Sequence, residues 1–308
     1  MKKYRVWAVS CVLAVSLVLH AGWVRAETEL PAPVSLEQAC SAISAKLASV
    51  DFAECRDSGM LCTHAFSSEG FPLMVKEYPP LAHRQPQSRV LVLGGTHGDE
   101  YSSISIVFKW MQILDVHHSG LFHWVFVPLL NPDGLLRDNS TRTNHRGVDI
   151  NRNFPSPLWL EVGYQRWVES VRRNPRYYPG PRAMSEPETQ FLVDLIQRFR
   201  PHAIISVHAP LGLVDYDGPG TPPRSLGSLS YRKLGNYPGT LGNYASEFGV
   251  PVITIELDSA GRMPSQVEIS TMWVDLVRWL VDSTPLPSWG VIEAREPGPM
   301  LDEAFFAK

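Results

Sequence analysis

Residues 89–100 read RVLVLGGTHGDE, an apolar run that passes directly into a polar segment. A continuous run of apolar residues is typical of a strand that is buried on both faces of a sheet. A helix is predicted directly afterwards, at residues 101–114. Ligands of α/β sheets bind beyond the carboxyl ends of the strands, so His97 and Glu100 stand where a functional site is expected.

Strands and helices alternate along the rest of the chain. Further buried strands are predicted at residues 123–129, 203–207 and 250–257, and further helices at residues 186–199, 241–248 and 267–280. We therefore expect one α/β domain, with a mixed, mostly parallel twisted sheet and helices on both faces. The sequence Asn131-Pro132-Asp133-Gly134 predicts a turn, and residues 135–181 and 214–237 predict long loops, which are uncommon unless they carry function.

The chain divides into four predicted parts. Residues 1–26 have the basic start, the apolar run and the small residues of a signal peptide. Residues 27–87 hold a helix at 35–48 and an edge hairpin of two strands, at 61–65 and 72–78. The catalytic domain is expected at residues 88–284, and a Pro-rich tail at residues 285–308.

Composition and charge exclude two classes of protein. The chain has 308 residues, with 28 Lys and Arg against 31 Asp and Glu, so its net charge of −3 does not fit a strongly basic nucleic-acid binder. Hydrophobic residues make up 44% of the chain, too many for a disordered protein.

Cleavage after Ala26 would remove four basic residues and leave 24 against 31, a net charge of −7. We expect a periplasmic protein, with secretion as the alternative. An uncleaved membrane anchor is disfavoured because the apolar run is shorter than the ~18 to 20 residues of a spanning helix. We do not expect the protein to bind nucleic acid.

Three cysteines remain after such cleavage. In an oxidising compartment either Cys40 and Cys55 or Cys55 and Cys62 could form a local disulfide, and the sequence leaves both pairs open. The chain has no C-x-x-C motif, so the sequence supports neither a thiolate zinc site nor a redox motif.

A metal site is indicated at the ends of two predicted strands. His97 and Glu100 are three residues apart, close enough to hold one ion, and His208 follows another predicted strand. Two histidines and one glutamate with an open position for water form a catalytic zinc site. The alternative for the first pair is an ordinary polar helix start. Glu256 lies in an apolar strand end, where it needs a metal, water or cation nearby; a salt bridge to an arginine is the alternative.

These clusters together resemble the zinc carboxypeptidase family, the carboxypeptidase A-like metallopeptidases. The motifs that carry the resemblance are His-x-x-Glu at residues 97–100, Asn-Pro-Asp-Gly at 131–134, Gly-Val-Asp-Ile-Asn-Arg-Asn-Phe at 147–154, His208 and Glu256. The resemblance implies one Zn²⁺ ion, bound by His97, Glu100 and His208. It also implies that Glu256 is the general base, which takes a proton from the zinc-bound water and returns it to the leaving amine.

The resemblance further implies the residues that bind substrate. Asp149 would orient His97, Asn151 and Arg152 would bind the substrate's terminal carboxylate, and Arg142 would stabilise the oxyanion. Arg137 and Arg146 lie in the same segment and compete for the last role. The mobile tyrosine of the family matches Tyr237 best, with Tyr231 and Tyr244 as competitors.

Residues 206–210 and 249–257 are most similar to the murein peptide amidase A branch of the family. That branch cleaves the bond between γ-D-Glu and meso-diaminopimelate in peptidoglycan peptides. Its usual members are similar to cytoplasmic enzymes, whereas this chain is predicted to be exported, so stem peptides in the periplasm are the expected substrate. Asp215 and Asp217 could contact the ammonium group of diaminopimelate, or be solvated loop acids.

Three functions follow from these patterns. The first is a zinc amidase or D,L-carboxypeptidase that acts on peptidoglycan stem peptides. The second is an N-acyl amino-acid deacylase similar to succinylglutamate desuccinylase and aspartoacylase, and the third is a wall-peptide binding protein without catalysis. The segment from Asn151 to Phe154 and the strand end at Glu256 favour the peptidase. Since every expected catalytic position is filled, the sequence favours an enzyme.

Overall fold

The computed structural model describes residues 34–82, 85–283, 301, 305 and 306. The predicted signal peptide at residues 1–26 lies outside the described residues, as does most of the predicted tail at 285–308. Within the described part of the chain, no helix combines the length and the apolar character needed to cross a membrane.

The described strands form one sheet. In chain order they are β1 (Leu61–Phe66), β2 (Pro72–Tyr78), β3 (Ser88–Leu93), β4 (Phe122–Val127), β5 (Ala203–His208), β6 (Leu213–Asp217), β7 (Ser225–Leu226), β8 (Leu229–Tyr231) and β9 (Val252–Glu256). Their spatial order is β1-β2-β4-β3-β5-β9-β6-β8-β7. The four central strands, β4, β3, β5 and β9, are parallel, and antiparallel pairs flank them on both sides.

Helices cover both faces of this sheet. They are α1 (Leu36–Lys46), α2 (Phe52–Arg56), α3 (Tyr101–His117), α4 (Pro132–Leu136), α5 (Gln165–Glu169), α6 (Pro187–Phe199), α7 (Leu241–Ser246) and α8 (Gln266–Ser283). Alternate residues of β3 face opposite sides because the side-chain period of a strand is two. Val90 and Val92 pack in a core with α3 and α8, whereas Leu91 and Leu93 pack in a second core with α6 and α7. The predicted fold class, a mixed α/β domain with helices on both faces, is confirmed.

The amino-terminal elements follow the sequence pattern closely. Ser35 caps α1 in a capping box with Gln38, since each side chain binds the other's backbone N–H. β1 and β2 form the predicted hairpin, and β2 joins it to the central strands through β4. A disulfide links Cys40 of α1 to Cys55 of α2, which decides between the two pairs that the sequence left open. Cys62 is a free thiol, and burial raises its pKa.

Three predictions about irregular segments are wrong. The predicted turn at Asn131 instead begins α4, because the Asn131 side chain caps that helix and Pro132 occupies its first turn. The predicted loop at 214–237 contains β6, β7 and β8, and β6 pairs with β9. The predicted loop at 135–181 contains a π-helical turn at Trp159–Tyr164, which is followed directly by α5.

Candidate active site

The three predicted metal ligands meet at the carboxyl edge of the central sheet. His97 follows β3, Glu100 precedes the first residue of α3, and His208 is the last residue of β5. β3 and β5 are parallel neighbours, so their carboxyl ends lie side by side. All three side chains are buried, and their ligand atoms lie within 4.8 Å of one another.

The donor atoms are arranged as a zinc ion requires. His97 Nδ1 lies 2.8 Å from Glu100 Oε1, and His208 Nδ1 lies 3.0 Å from Glu100 Oε2 and 3.1 Å from His97 Nδ1. A tetrahedral ion with bonds of ~2.0–2.1 Å separates its ligand atoms by roughly 3.3 Å, so the three atoms need only small movements to bind one. The residues fit zinc in both chemistry and spacing.

The far nitrogen of each histidine ring has its own partner. His97 Nε2 lies 3.1 Å from Asp149 Oδ1, and His208 Nε2 lies 3.0 Å from Ser206 Oγ. We assign the ring proton to Nε2 in both cases, because each partner oxygen can accept it and each Nδ1 lone pair then faces the metal position. Asp149 therefore lies where the sequence placed it. Ser206 was not predicted as a site residue, although it lies two residues before His208 and thus on the same face of the strand.

Arg142 is the arginine that reaches the site. Its Nε donates to Asp149 Oδ2 at 2.8 Å, and its guanidinium lies 5.3 Å from the Tyr177 ring centroid. Of the three competing arginines, Arg142 alone lines the cavity described below; Arg137 instead donates to the His145 carbonyl. Burial alone would raise the pKa of the Asp149 carboxyl, but the positive charges of Arg142 and Arg152 and the hydrogen bond from His97 hold it well below its usual value.

Glu256 stands beside the metal ligands. It is the last residue of β9 and lies opposite His208 in the parallel pairing of β5 and β9. Its Oε2 accepts a hydrogen bond from the Leu211 N–H at 3.4 Å, and its side chain lines the cavity. Burial raises the pKa of this carboxyl. No arginine forms an ion pair with Glu256 among the residues that the structure describes, so the salt-bridge alternative is not observed.

A cavity of about 380 Å³ opens above these groups. Asn151, Arg152 and Tyr237 form part of its wall. Asn151 Oδ1 accepts the Leu241 N–H at 2.9 Å, which leaves the amide Nδ2 as a donor towards the cavity. The Arg152 guanidinium lies 4.8 Å from the Tyr237 ring centroid.

The competing tyrosines lie elsewhere. Tyr244 is buried in the core, where it stacks on Phe154 with ring centroids 6.0 Å apart. Tyr231 is an exposed residue of β8, and neither tyrosine lines the cavity. The geometry therefore favours Tyr237 as the aromatic residue above a bound substrate.

Four charged residues of the cavity were either missed or left open by the sequence. Arg166 and Arg176 come from the segment predicted to be a loop, and no sequence signal singled them out. Asp215 and Asp217 lie on β6 and are buried, so they are not solvated loop acids. Burial, with the charge of Asp215 nearby, raises the pKa of Asp217 to about 6.

Known proteins resemble this chain over most of its described length. The sequence profile of the family described as zinc carboxypeptidase matches residues 61–217. Murein peptide amidase A from Vibrio campbellii is 35% identical over 195 residues, which cover 61% of this chain and 75% of that protein. Murein peptide amidase A from Escherichia coli K12 is 31% identical over 206 residues, covering 61% and 79% respectively.

Solved structures give the same answer for the fold. The crystal structure of murein-tripeptide amidase MpaA from Escherichia coli O157 superposes on this protein with a TM-score of 0.52 and 29% sequence identity. The matched region covers 72% of this chain and 92% of the MpaA chain. Bovine thrombin-activatable fibrinolysis inhibitor covers 79% and 93%, with 19% identity and a TM-score of 0.54, and at that identity the likeness concerns the fold alone. The family uses zinc, and the site described above has the ligands for it. The chain belongs to the zinc carboxypeptidase family and is a zinc-dependent hydrolase.

Proposed function

We propose that this protein is an exported zinc metallopeptidase that hydrolyses an amide bond beside a free carboxylate in peptidoglycan stem peptides. The bond that we favour joins γ-D-Glu to meso-diaminopimelate. The proposal rests on one observation: the three residues that can bind a metal, the Glu256 carboxylate and four arginines all line the same cavity. The relatives named murein peptide amidase A support the peptidoglycan substrate.

His97, Glu100 and His208 would hold the metal. When bound, zinc supplies the Lewis acidity that lowers the pKa of a bound water towards ~7 and polarises a carbonyl. Glu256 lies at the neighbouring strand end, where its carboxylate accepts the proton of the attacking water and returns it to the leaving amine. Burial raises its pKa, which makes its carboxylate a stronger base than that of an exposed glutamate.

Two arginines have separate roles in the proposed reaction. Arg142 stands next to the metal ligands, where its positive charge stabilises the negative charge that develops on the carbonyl oxygen. Arg152 and the Asn151 amide lie further along the cavity wall, and they bind the terminal carboxylate of the substrate. Tyr237 lies against Arg152 and covers the bound residue.

Two acids of β6, Asp215 and Asp217, favour a substrate whose leaving residue carries an ammonium group. In the antiparallel pairing with β9, Leu213 lies opposite Glu256, Asp215 opposite Thr254, and Asp217 opposite Val252. Paired and alternate residues share a face, so both acids lie on the Glu256 face of the sheet. At ~3.4 Å per residue, they stand roughly 7 and 14 Å from the Glu256 pair. A diaminopimelate side chain can reach the nearer of the two.

The function is tested with defined substrates. The zinc-loaded mature enzyme is incubated with tripeptide, tetrapeptide and pentapeptide stems, and the products are identified by mass spectrometry. We expect release of diaminopimelate from the tripeptide. Loss of terminal D-Ala alone would identify a carboxypeptidase of another specificity, and no hydrolysis of any stem would contradict the proposal.

Export is tested separately. The proposal rests on the signal-peptide pattern of residues 1–26, and it predicts a mature protein that begins at Glu27. Amino-terminal sequencing of the protein recovered from the periplasmic fraction measures this directly. A chain that retains Met1 in the cytoplasmic fraction would contradict export and leave the chemistry of the site intact.

A further inference from the structure

The walls of the cavity carry more positive charge than the proposed reaction uses. Four arginines line it: Arg142, Arg152, Arg166 and Arg176. Three of them already have partners, since Arg142 pairs with Asp149, Arg176 pairs with Asp99, and Arg152 donates to a backbone carbonyl. The guanidinium of Arg166 forms no hydrogen bond or ion pair with the described part of the chain.

Arg166 is nevertheless held in place by an aromatic ring. Its guanidinium carbon lies 4.3 Å from the centroid of the Tyr237 ring, the same ring that Arg152 approaches at 4.8 Å. Stacking on an aromatic ring uses the face of the guanidinium and leaves its N–H edge free to bind an oxyanion. Because both cations contact one ring, their guanidinium carbons are at most about 9 Å apart. Two like charges at this distance repel each other unless anions bind between or beside them.

The backbone around Arg166 is fixed to the same part of the site. The π-helical turn that precedes α5 begins at Trp159, a buried residue whose indole donates to the Arg152 carbonyl at 2.9 Å. A methyl group on Gly163 would meet the Pro238 carbonyl oxygen at 2.5 Å, so this turn packs tightly on the backbone beside Tyr237. π-helical turns of this kind occur frequently at functional sites. Arg166 is therefore carried by a rigid element rather than by a free loop.

We propose that Arg166 binds a second carboxylate on the leaving residue of the substrate, next to the terminal carboxylate that Arg152 binds. The leaving residue is then an amino acid with a carboxylate at each end. Its second ammonium group faces the acids of β6, so the cavity recognises both charges of the distal end. This inference rests on the proposed function and extends it to specificity.

The test compares two peptides that differ in one group. The first is L-Ala-γ-D-Glu-meso-diaminopimelate, and the second is the same peptide with the distal carboxylate converted to an amide. Both keep the ammonium group and the scissile bond. The wild-type enzyme should prefer the carboxylate peptide by about 10- to 100-fold in kcat/KM, the range of a charge-assisted bidentate hydrogen bond.

Three variants complete the test. Arg166→Gln should lose this preference, because its kcat/KM should fall by about 10- to 100-fold on the carboxylate peptide and by much less on the amide peptide. Arg166→Lys keeps the charge without the planar fork and should retain part of the preference. Arg173→Gln is the matched control, an exposed arginine of the same segment that does not line the cavity, and it should retain all of the preference.

The outcomes separate this inference from the proposed function. If the wild-type enzyme hydrolyses neither peptide, both are overturned. If it hydrolyses both peptides equally well, or if Arg166→Gln keeps the wild-type preference, the role of Arg166 is overturned and the proposed function stands.

Discussion

Glu188, a buried glutamate, should make the free energy of unfolding depend on pH by an amount that can be calculated from its pKa. Glu186 and Glu188, at the start of α6, are both completely buried, and the Asn144 amide donates to both at 2.8 and 3.0 Å. Burial, together with the nearby charges of Asp133 and Glu186, raises the pKa of Glu188 to about 7. Asn144 lies between Arg142 and Asp149 in the chain, so these hydrogen bonds join the two glutamates to the segment that carries both site residues.

The sign and size of the effect follow from that shift. The ordinary pKa of the glutamate is 4.5, so the folded protein holds this proton more tightly than the unfolded chain does. The resulting stabilisation is complete below pH 4.5 and is lost as the pH rises to about 7. A shift from 4.5 to about 7, at ~1.4 kcal/mol for each unit, corresponds to roughly 3 kcal/mol.

Glu188→Gln tests this reasoning because an amide cannot titrate. The free energy of unfolding is measured in urea at pH 5, 6, 7 and 8 for the zinc-loaded, oxidised protein. The new amide group changes the free energy of unfolding by the same amount at every pH. The informative quantity is therefore how the difference in unfolding free energy between variant and wild type changes with pH. Between pH 5 and pH 8 we expect the variant to become roughly 2.5 kcal/mol more stable relative to the wild type, because part of the effect is already lost at pH 5.

The matched control is Glu169→Gln. Glu169 is an exposed acid at the end of α5, so its replacement should leave the pH dependence of stability unchanged. Curves for Glu188→Gln and wild type that run parallel from pH 5 to pH 8 would refute the buried, protonated state of Glu188.

Three further predictions concern the metal site and the disulfide. Glu256→Gln removes the base and no metal ligand, so kcat should fall at least ~100-fold while metal analysis still finds one zinc; a metal-loaded variant with wild-type rates would exclude Glu256 as the base. Asp149→Asn removes the carboxylate that orients His97, and chelator competition should show zinc affinity about 10- to 100-fold weaker; unchanged affinity would contradict that role. Cys40→Ser removes a crosslink between residues 15 apart and should cost about 3 kcal/mol in urea unfolding, a loss that reductant should reproduce in the wild type and not deepen in the variant.

Features set by local patterns could be predicted from the sequence. The central strands are continuous apolar runs, so their positions and the sites at their carboxyl ends follow directly from residue order. His97, His208 and Glu256 were found in this way, because each stands where an apolar strand stops. The capping box of Ser35 and Gln38 is also local, since both partners lie within one turn.

Features that depend on contacts between distant parts of the chain could not be predicted from the sequence. β7 and β8 are two and three residues long, and β6 becomes a strand through its pairing with β9, about forty residues away in the chain. Asn131 illustrates a different difficulty, because the same side chain can start a turn or cap a helix. The choice among Arg137, Arg142 and Arg146 depended on where their loop folds, which the spacing of the three does not specify.

The origin of each residue in the fold indicates what its replacement should change. The proposed metal ligands and the proposed base stand at the ends of β3, β5 and β9, where strand pairing fixes their distances. The arginines that we propose to bind carboxylates come instead from the segments between the strands, which tolerate sequence change more readily than a central sheet does. Replacements at the strand ends should therefore abolish hydrolysis of every peptide alike. Replacements such as those at Arg166 should change which peptide is hydrolysed, because they leave the reacting groups where the sheet holds them.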